Sequence, residues 1–255
     1  IEFKSKNLKI DPYLMGLLLG DGCLRNAIGF STNDEEIYNY IKDTVNKYSC
    51  KITDNVGKNN TKYFNIVSNN NDRINNILNF IKEYELFNTL SDTKFVPKDY
   101  LYSSVQDRKD LLAGLLDTDG TINKGSITFC TTSESLKNNV TEIVNSLGGV
   151  VKTKSRIGKY AKNGISKECK RYYLLHIALN FNPFKLKRKR FLYTPRTKYK
   201  PARFIKSIEF VGKKEAQCIS VEDDNHLYIT DNYIVTHNTF ISLVAALALL
   251  KMPKY

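Results

Sequence analysis

Two aspartates, Asp21 and Asp119, stand 98 residues apart at the ends of one short motif that the chain carries twice. The first copy is DPYLMGLLLGDGCL (11–24) and the second is RKDLLAGLLDTDGTI (108–122). Pairing Leu14 with Leu112 also pairs Gly16 with Gly114, Gly20 with Thr118, Asp21 with Asp119 and Gly22 with Gly120. A repeat at fixed spacing announces a duplicated architecture. The leucines recur at helical spacing, so each copy reads as an apolar helix. The pairs Gly16–Gly20 and Gly114–Thr118 put small residues four apart on one face, where two helix backbones can come close. Gly22 and Gly120 are expected to stop the helices as glycine does just past a helix end.

This arrangement leaves each aspartate in the last turn of a helix, where the macrodipole disfavours a carboxylate. If the two helices pack side by side, the carboxylates also crowd each other. A divalent cation between them would offset both costs. The alternative, a polar residue before a turn, explains one copy more easily than two in register.

On these residues the pair resembles the two motifs of a monomeric LAGLIDADG homing endonuclease, with LMGLLLGDG the divergent copy and LAGLLDTDG the close one. The first copy departs at Leu19, where the second has Asp117. The resemblance implies an α+β fold, a pseudo-symmetric duplication of αββαββα whose motif helices form the interface between halves. It implies that Asp21 and Asp119, with the neighbouring Gly20 and Thr118, hold Mg²⁺ (or Mn²⁺) for cutting DNA. It implies a monomer acting on double-stranded DNA at a long asymmetric site. The group that orders the attacking water stays open; Thr32–Asn33 and Thr131–Thr132 align near that position.

A second cluster lies near the C-terminus, where His237, Asn238 and Thr239 stand in a row. An Asn amide can attack its own backbone carbonyl and cleave the next peptide bond, helped by an imidazole as acid or base. A Thr hydroxyl can carry an acyl group as an ester. In its context, HLYITDNYIVTHN (226–238), this resembles the C-terminal splicing blocks of an intein. The resemblance makes Asn238 the cyclising residue, His237 and His226 its assistants and Thr239 the downstream nucleophile. Cys218 is a branch nucleophile or a buried structural cysteine. Nothing before Ile10 resembles the N-terminal splicing segment, so the chain is expected to need such a segment in order to splice. TFISLVAALALLKM (239–252) reads as an apolar helix opening at a Thr, which would fit the end of a P-loop in an interrupted ATPase.

The electrostatic balance agrees with a polyanionic partner: 39 Lys+Arg against 26 Asp+Glu give a net charge of +13. In the strand read at 150–157, Lys152, Lys154 and Arg156 fall at period two and share a face. Lys159, Lys170 and Arg171 continue the charge through a hairpin, and a two-stranded ribbon fits a B-DNA major groove. Lys187 and Lys189 in PFKLKRKRF (183–191) suit phosphate contact, a lysine near the cleavage centre, or a plain charged helix start. Five dispersed cysteines without a C-x-x-C pair point to reduced thiols in an intracellular, cytoplasmic setting and against zinc. Phe240–Leu250 is too short to span a bilayer, so no membrane role is expected.

Around these residues the pattern reads helix, strand, helix, hairpin, helix, twice over. The endonuclease is expected over 1–205, with halves at 8–98 and 106–205. A small all-β splicing segment is expected over 206–238 and an extein remnant over 239–255. Two other functions fit less of the sequence: a DNA- or RNA-binding maturase or regulator, and a splicing element whose endonuclease has decayed.

Overall fold

The computed structural model describes residues 1–56, 62–69, 74–162, 165–195, 201–210, 212–213, 215, 219–222 and 224–237. They fall into two compact units, 1–201 and the part from Ala202 onward.

In the first unit the two motif helices lie against each other at the centre. Helix α1 (Pro12–Gly20) opens with the Asp11 side chain accepting from the Leu14 amide at 2.9 Å, and with Pro12 in the first turn, where a missing amide hydrogen costs nothing. Helix α5 (Val105–Thr118) opens on Ser104, whose hydroxyl accepts from the Asp107 amide. A helix apolar on every side must be buried on every side, and Tyr13 through Leu19 are all buried. The small residues permit the contact. A Cβ added at Gly114 would lie 2.4 Å from the Tyr13 carbonyl oxygen and 2.8 Å from the Gly16 Cα. One added at Gly20 would lie 2.0 Å from Thr118 Oγ1.

Gly22 and Gly120 act differently from expectation. Asp21 and Asp119 are themselves the C-caps, in right-handed helical geometry, and the left-handed glycines among the described residues are Gly125, Gly148 and Gly212. Gly22 and Gly120 are required because the chain doubles back over the last turn. A Cβ there would sit 2.4 Å from the Leu18 carbonyl oxygen, or 2.3 Å from that of Leu116. Gly148, at φ +80°, does stop the helix before it.

The half that follows α1 runs β1 (Ile28–Thr32), α2 (Glu35–Val45), β2 (Cys50–Val56), β3 (Lys62–Ser68) and α3 (Asn76–Glu83). Its strands form an antiparallel sheet in the order β1-β3-β2. A short helix, α4 (Lys98–Leu101), precedes α5. After α5 come β4 (Gly120–Asn123), β5 (Ser126–Thr131), α6 (Glu134–Ser146), β6 (Val150–Lys162), β7 (Ile165–Ala178) and the one-turn α7 (Lys187–Arg190). The second sheet has the order β4-β5-β7-β6. The duplication is thus an α+β fold with unequal halves. Strand β4 has only a single Cys23–Gly29 bridge as its counterpart, and the closing helix is reduced to one turn.

The apolar side chains of both halves form one continuous core, including Leu14, Leu18, Phe30, Phe64, Leu112, Phe129 and Leu175. Ile28↔Ile66 and Phe30↔Phe64 share the inner face of the first sheet. In the second, Leu175 and Ile177 point inward and fix the face that Lys152, Lys154 and Arg156 must take.

In the second unit the described strands are a hairpin of β8 (Tyr228–Thr230) and β9 (Ile234–Thr236). Within the segment expected to be all-β, residues 219–221 form no strand. The helix read at 239–252 lies outside the described residues, as do residues 57–61 and 163–164.

Candidate active site and nucleic-acid face

Asp21 and Asp119 cap the C-terminal ends of the paired helices α1 and α5. The Asp119 carboxyl is pushed up to about 6, first by burial and then by the negative charge of Asp21. Burial also raises the Asp21 carboxyl. The crowding inferred from the sequence is therefore present, and the helix C-termini add their own negative ends.

Two buried lysines answer part of that cost. Lys94 Nζ donates to the carbonyls of Leu18, Gly20 and Gly22 at 3.2, 2.9 and 2.7 Å. Lys189 Nζ does the same for α5, with carbonyl oxygens of Leu116, Asp117, Thr118 and Gly120 at 2.8, 2.6, 3.2 and 2.6 Å. Each ammonium thus occupies the negative pole of one motif helix. Burial lowers both lysines to about 8, against the pull of nearby carboxylates. Both lower the pKa of Asp21 and of Asp119. Lys94 was not legible as a site residue: TKFVP (93–97) carries no motif. The signal that existed was the repeat itself, since Lys94 lies 73 residues after Asp21 and Lys189 lies 70 after Asp119.

Of the readings open for Lys189, phosphate contact is corrected, whereas its place beside Asp21 and Asp119 matches the reading of a lysine near the carboxylate pair. It is 6 % exposed, and carbonyls surround its ammonium. The alternation of PFKLKRKRF conceals this, because α7 is a single turn that turns Lys189 inward while Lys187 and Arg188 stay outside.

The carbonyls of Gly20 and Thr118, the two residues expected beside the metal, accept from these lysines, and each keeps a second lone pair. Asp117, present only in the second copy, is buried. Its Oδ2 accepts from Tyr13 Oη at 2.7 Å and from the amides of Lys185 and Leu186 at 3.1 and 3.0 Å. It secures the segment that leads to Lys189, which gives the departure at Leu19 a structural reason: the other lysine is secured from elsewhere.

A cleft of about 250 Å³ opens beside this centre, lined by Gly20, Lys94, Asp119, Cys130, Thr131 and Thr132. The Thr32 and Thr131 hydroxyls accept from the amides of Asp34 and Ser133, each at 3.1 Å. They turn the chain into α2 and α6. Among the described residues no group of three or more His, Cys, Asp or Glu could enclose a metal. The protein's hard oxygen donors here are two carboxylates, a set that fits a small divalent cation that keeps several waters.

On the second sheet, Lys152, Lys154 and Arg156 stand opposite His176, Leu174 and Tyr172, on the face away from the core, and all three are exposed. The remaining cations differ. Lys159 pairs with Glu168 at 3.7 Å, and Lys170 with Asp92 at 2.5 Å. Arg171 lies on the other parity of β7 and donates to Ser155 Oγ at 3.3 Å. Lys187 is exposed. Of the splicing residues, His226 and His237 flank the β8–β9 hairpin, while Cys218, Asn238 and Thr239 lie outside the described residues.

A family model for homing endonucleases matches residues 95–182. The replicative DNA helicase DnaB of Mycobacterium intracellulare is 32% identical over 158 residues, 59% of this chain and 26% of the relative. The chain thus spans about a quarter of that relative's length. Solved structures similar to the chain include mesophilic variants of the homing endonuclease I-DmoI, with TM-score 0.43, 15% identity, and 71% and 94% of the two chains covered. Another is the N-terminal LAGLIDADG domain of DUF199/WhiA, with TM-score 0.39, 12% identity, and 65% and 74% covered. Among the described residues no helix is long and apolar enough to cross a membrane. Residues 95–182, which hold helix α5 and the strands of the second sheet, are thus similar to homing endonucleases.

Proposed function

We propose that this chain is a site-specific endonuclease that hydrolyses both strands of duplex DNA at a centre built on Asp21 and Asp119, as part of an intein. The observation that carries the reading is the pair of crowded carboxylates at the ends of α1 and α5. Asp119 keeps a raised pKa despite two buried lysines beside it. Two carboxylates held in that state are prepared for a cation. When bound, Mg²⁺ or Mn²⁺ would supply Lewis-acid stabilisation of the phosphate and of the leaving oxygen.

The chain's own groups do the rest. The Gly16–Gly114 contact sets the spacing of the helices, hence of the carboxylates. Lys94 and Lys189 hold the helix ends and stabilise the ionised aspartates. Their donors are taken by carbonyls, so they act through charge and position rather than by holding the attacking water. Lys152, Lys154 and Arg156 would contact backbone phosphates, with the antiparallel β6–β7 ribbon in a groove. The pseudo-twofold relation of the halves assigns one cut to each strand of an asymmetric site.

The test is cleavage of duplex carrying the uninterrupted host gene, with Mg²⁺ or Mn²⁺, by the parent and by Asp119→Asn. Cleavage by the parent that vanishes in the variant while DNA binding remains supports the reading. Binding without cleavage in both would leave a maturase, a regulator or a decayed nuclease.

The intein reading assigns 1–205 to the endonuclease, 206–238 to splicing and 239–255 to the extein. It rests on the tail's His237-Asn238-Thr239 and on the likeness to a protein described as a replicative helicase. Helicases are nucleotide-driven motors, in keeping with the P-loop expected at Thr239. Peptide-bond cleavage after Asn238 that survives Asn238→Ala would overturn the intein reading.

A further inference from the structure

We propose, resting on the endonuclease reading, that Asp34 and Arg188 form a clamp between the two halves that positions Lys189, so that the two strand cuts depend on unequal supports. The equivalence of Asp34 and Ser133 is the starting point. Each follows a threonine by two residues, each donates its amide to that threonine's hydroxyl at 3.1 Å, and each is the N-cap of the next helix. Each also reaches across to the lysine-bearing segment of the other half.

Ser133 does so quietly. Its hydroxyl accepts from the Leu136 amide, capping α6, and donates to the Lys94 carbonyl at 2.5 Å. The neighbouring Val96 amide donates to Asn139 Oδ1 at 2.9 Å. Ser133 is fully buried, so this support is shielded from solvent.

Asp34 is engaged otherwise. Its Oδ1 accepts from Arg188 Nε and its Oδ2 from Arg188 Nη2, both at 2.8 Å. That bidentate fork is the strong geometry for a guanidinium and a carboxylate. It also consumes the cap: α2 has no side-chain bond at its N-terminus, although aspartate there would normally provide one. The residue forgoes its local role for a contact 154 residues away, immediately before buried Lys189. An exposed ion pair adds little to stability and weakens with salt. Its consequence is therefore positional: it holds α7 against the first half while Asp117 holds the preceding amides from the second.

The decisive variant is Asp34→Ser, which places at 34 the residue that the other half uses. The cap returns and the clamp is lost. In the metal-free full chain, the rate of Lys189 acylation by a water-soluble anhydride, read by mass spectrometry, should rise about tenfold through local opening while Lys94 stays unchanged. On duplex with separately labelled strands, one cut should slow about tenfold relative to the other. The unfolding midpoint should hold or rise. The exchange Asp34→Arg with Arg188→Asp should restore both ratios. Equal acylation of the two lysines in parent and variant would overturn the clamp. So would equal slowing of both cuts with a lowered midpoint, which is the mark of a merely structural role. Absence of cleavage by the parent would overturn the endonuclease reading alone, since the acylation ratio would still decide whether the clamp exists.

Discussion

Gly114→Ala probes the geometry on which the centre depends. The new methyl would meet three backbone atoms of α1: the Tyr13 carbonyl oxygen at 2.4 Å, the Leu17 nitrogen at 2.7 Å and the Gly16 Cα at 2.8 Å. Ordinary contact begins at 3.4 Å, so the helices must part by about 1 Å. None of the three atoms is the flexible end of a side chain, and both helices are packed on all sides. A gap of about 1 Å along the interface forfeits a quarter to a half of the dispersion energy there. Overpacking of this kind costs about 3 kcal/mol, offset by about 1 kcal/mol from the better helix propensity of alanine. A net loss of about 2 kcal/mol lowers the urea midpoint by about 1 M at a slope of about 2 kcal/mol/M. The same shift moves Asp21 away from Asp119, and a displacement of about 1 Å at a reacting centre costs about 100-fold in rate. Urea unfolding and strand cleavage should therefore both report the change. Gly158→Ala, whose methyl would find its nearest neighbour at 3.5 Å, is the control expected to leave the urea midpoint unchanged. A Gly114→Ala protein with parental midpoint and rate would refute the claim that the backbones touch.

Two further outcomes follow from charge. The folded Asp119 carboxyl titrates near 6, above the ordinary 3.8, so the metal-free folded state holds a proton that the unfolded chain has released. That contribution to stability is complete below 3.8 and is lost as pH rises through 6. Stability across that window should fall less steeply in Asp119→Asn than in the parent; identical slopes in urea titrations at stepped pH would count against a crowded carboxylate. Replacing Lys152, Lys154 and Arg156 together by alanine should lower the slope of log K against log salt by about 2.7, at about 0.9 per phosphate contact on duplex DNA. Fluorescence anisotropy measures this directly, and an unchanged slope would remove that face from the DNA interface.

Local chemistry determined a good deal. The register of LMGLLLGDG on LAGLLDTDG is a property of the chain alone, and it forecast two apolar helices, their close approach and two C-terminal carboxylates. Strand alternation placed Lys152, Lys154 and Arg156 on one face, because a period of two leaves no other choice once Leu175 and Ile177 point inward. Tertiary structure decided what depends on segments distant in sequence. Lys94 looks like a surface lysine, and the run holding Lys189 admits three readings, until α1 and α5 present rows of free carbonyls at their ends, an attraction that no local pattern encodes. Asp34 stands at the N-cap of α2, where aspartate commonly caps; only the arrival of Arg188 from the other half takes the carboxylate elsewhere. Gly22 and Gly120 read as helix stops because glycine favours positive φ, yet what excludes a side chain there is the chain folding back onto Leu18 and Leu116. Spacing along the chain identifies which groups repeat, while the free energy of a buried charge depends on what surrounds it in space, and that belongs to the fold.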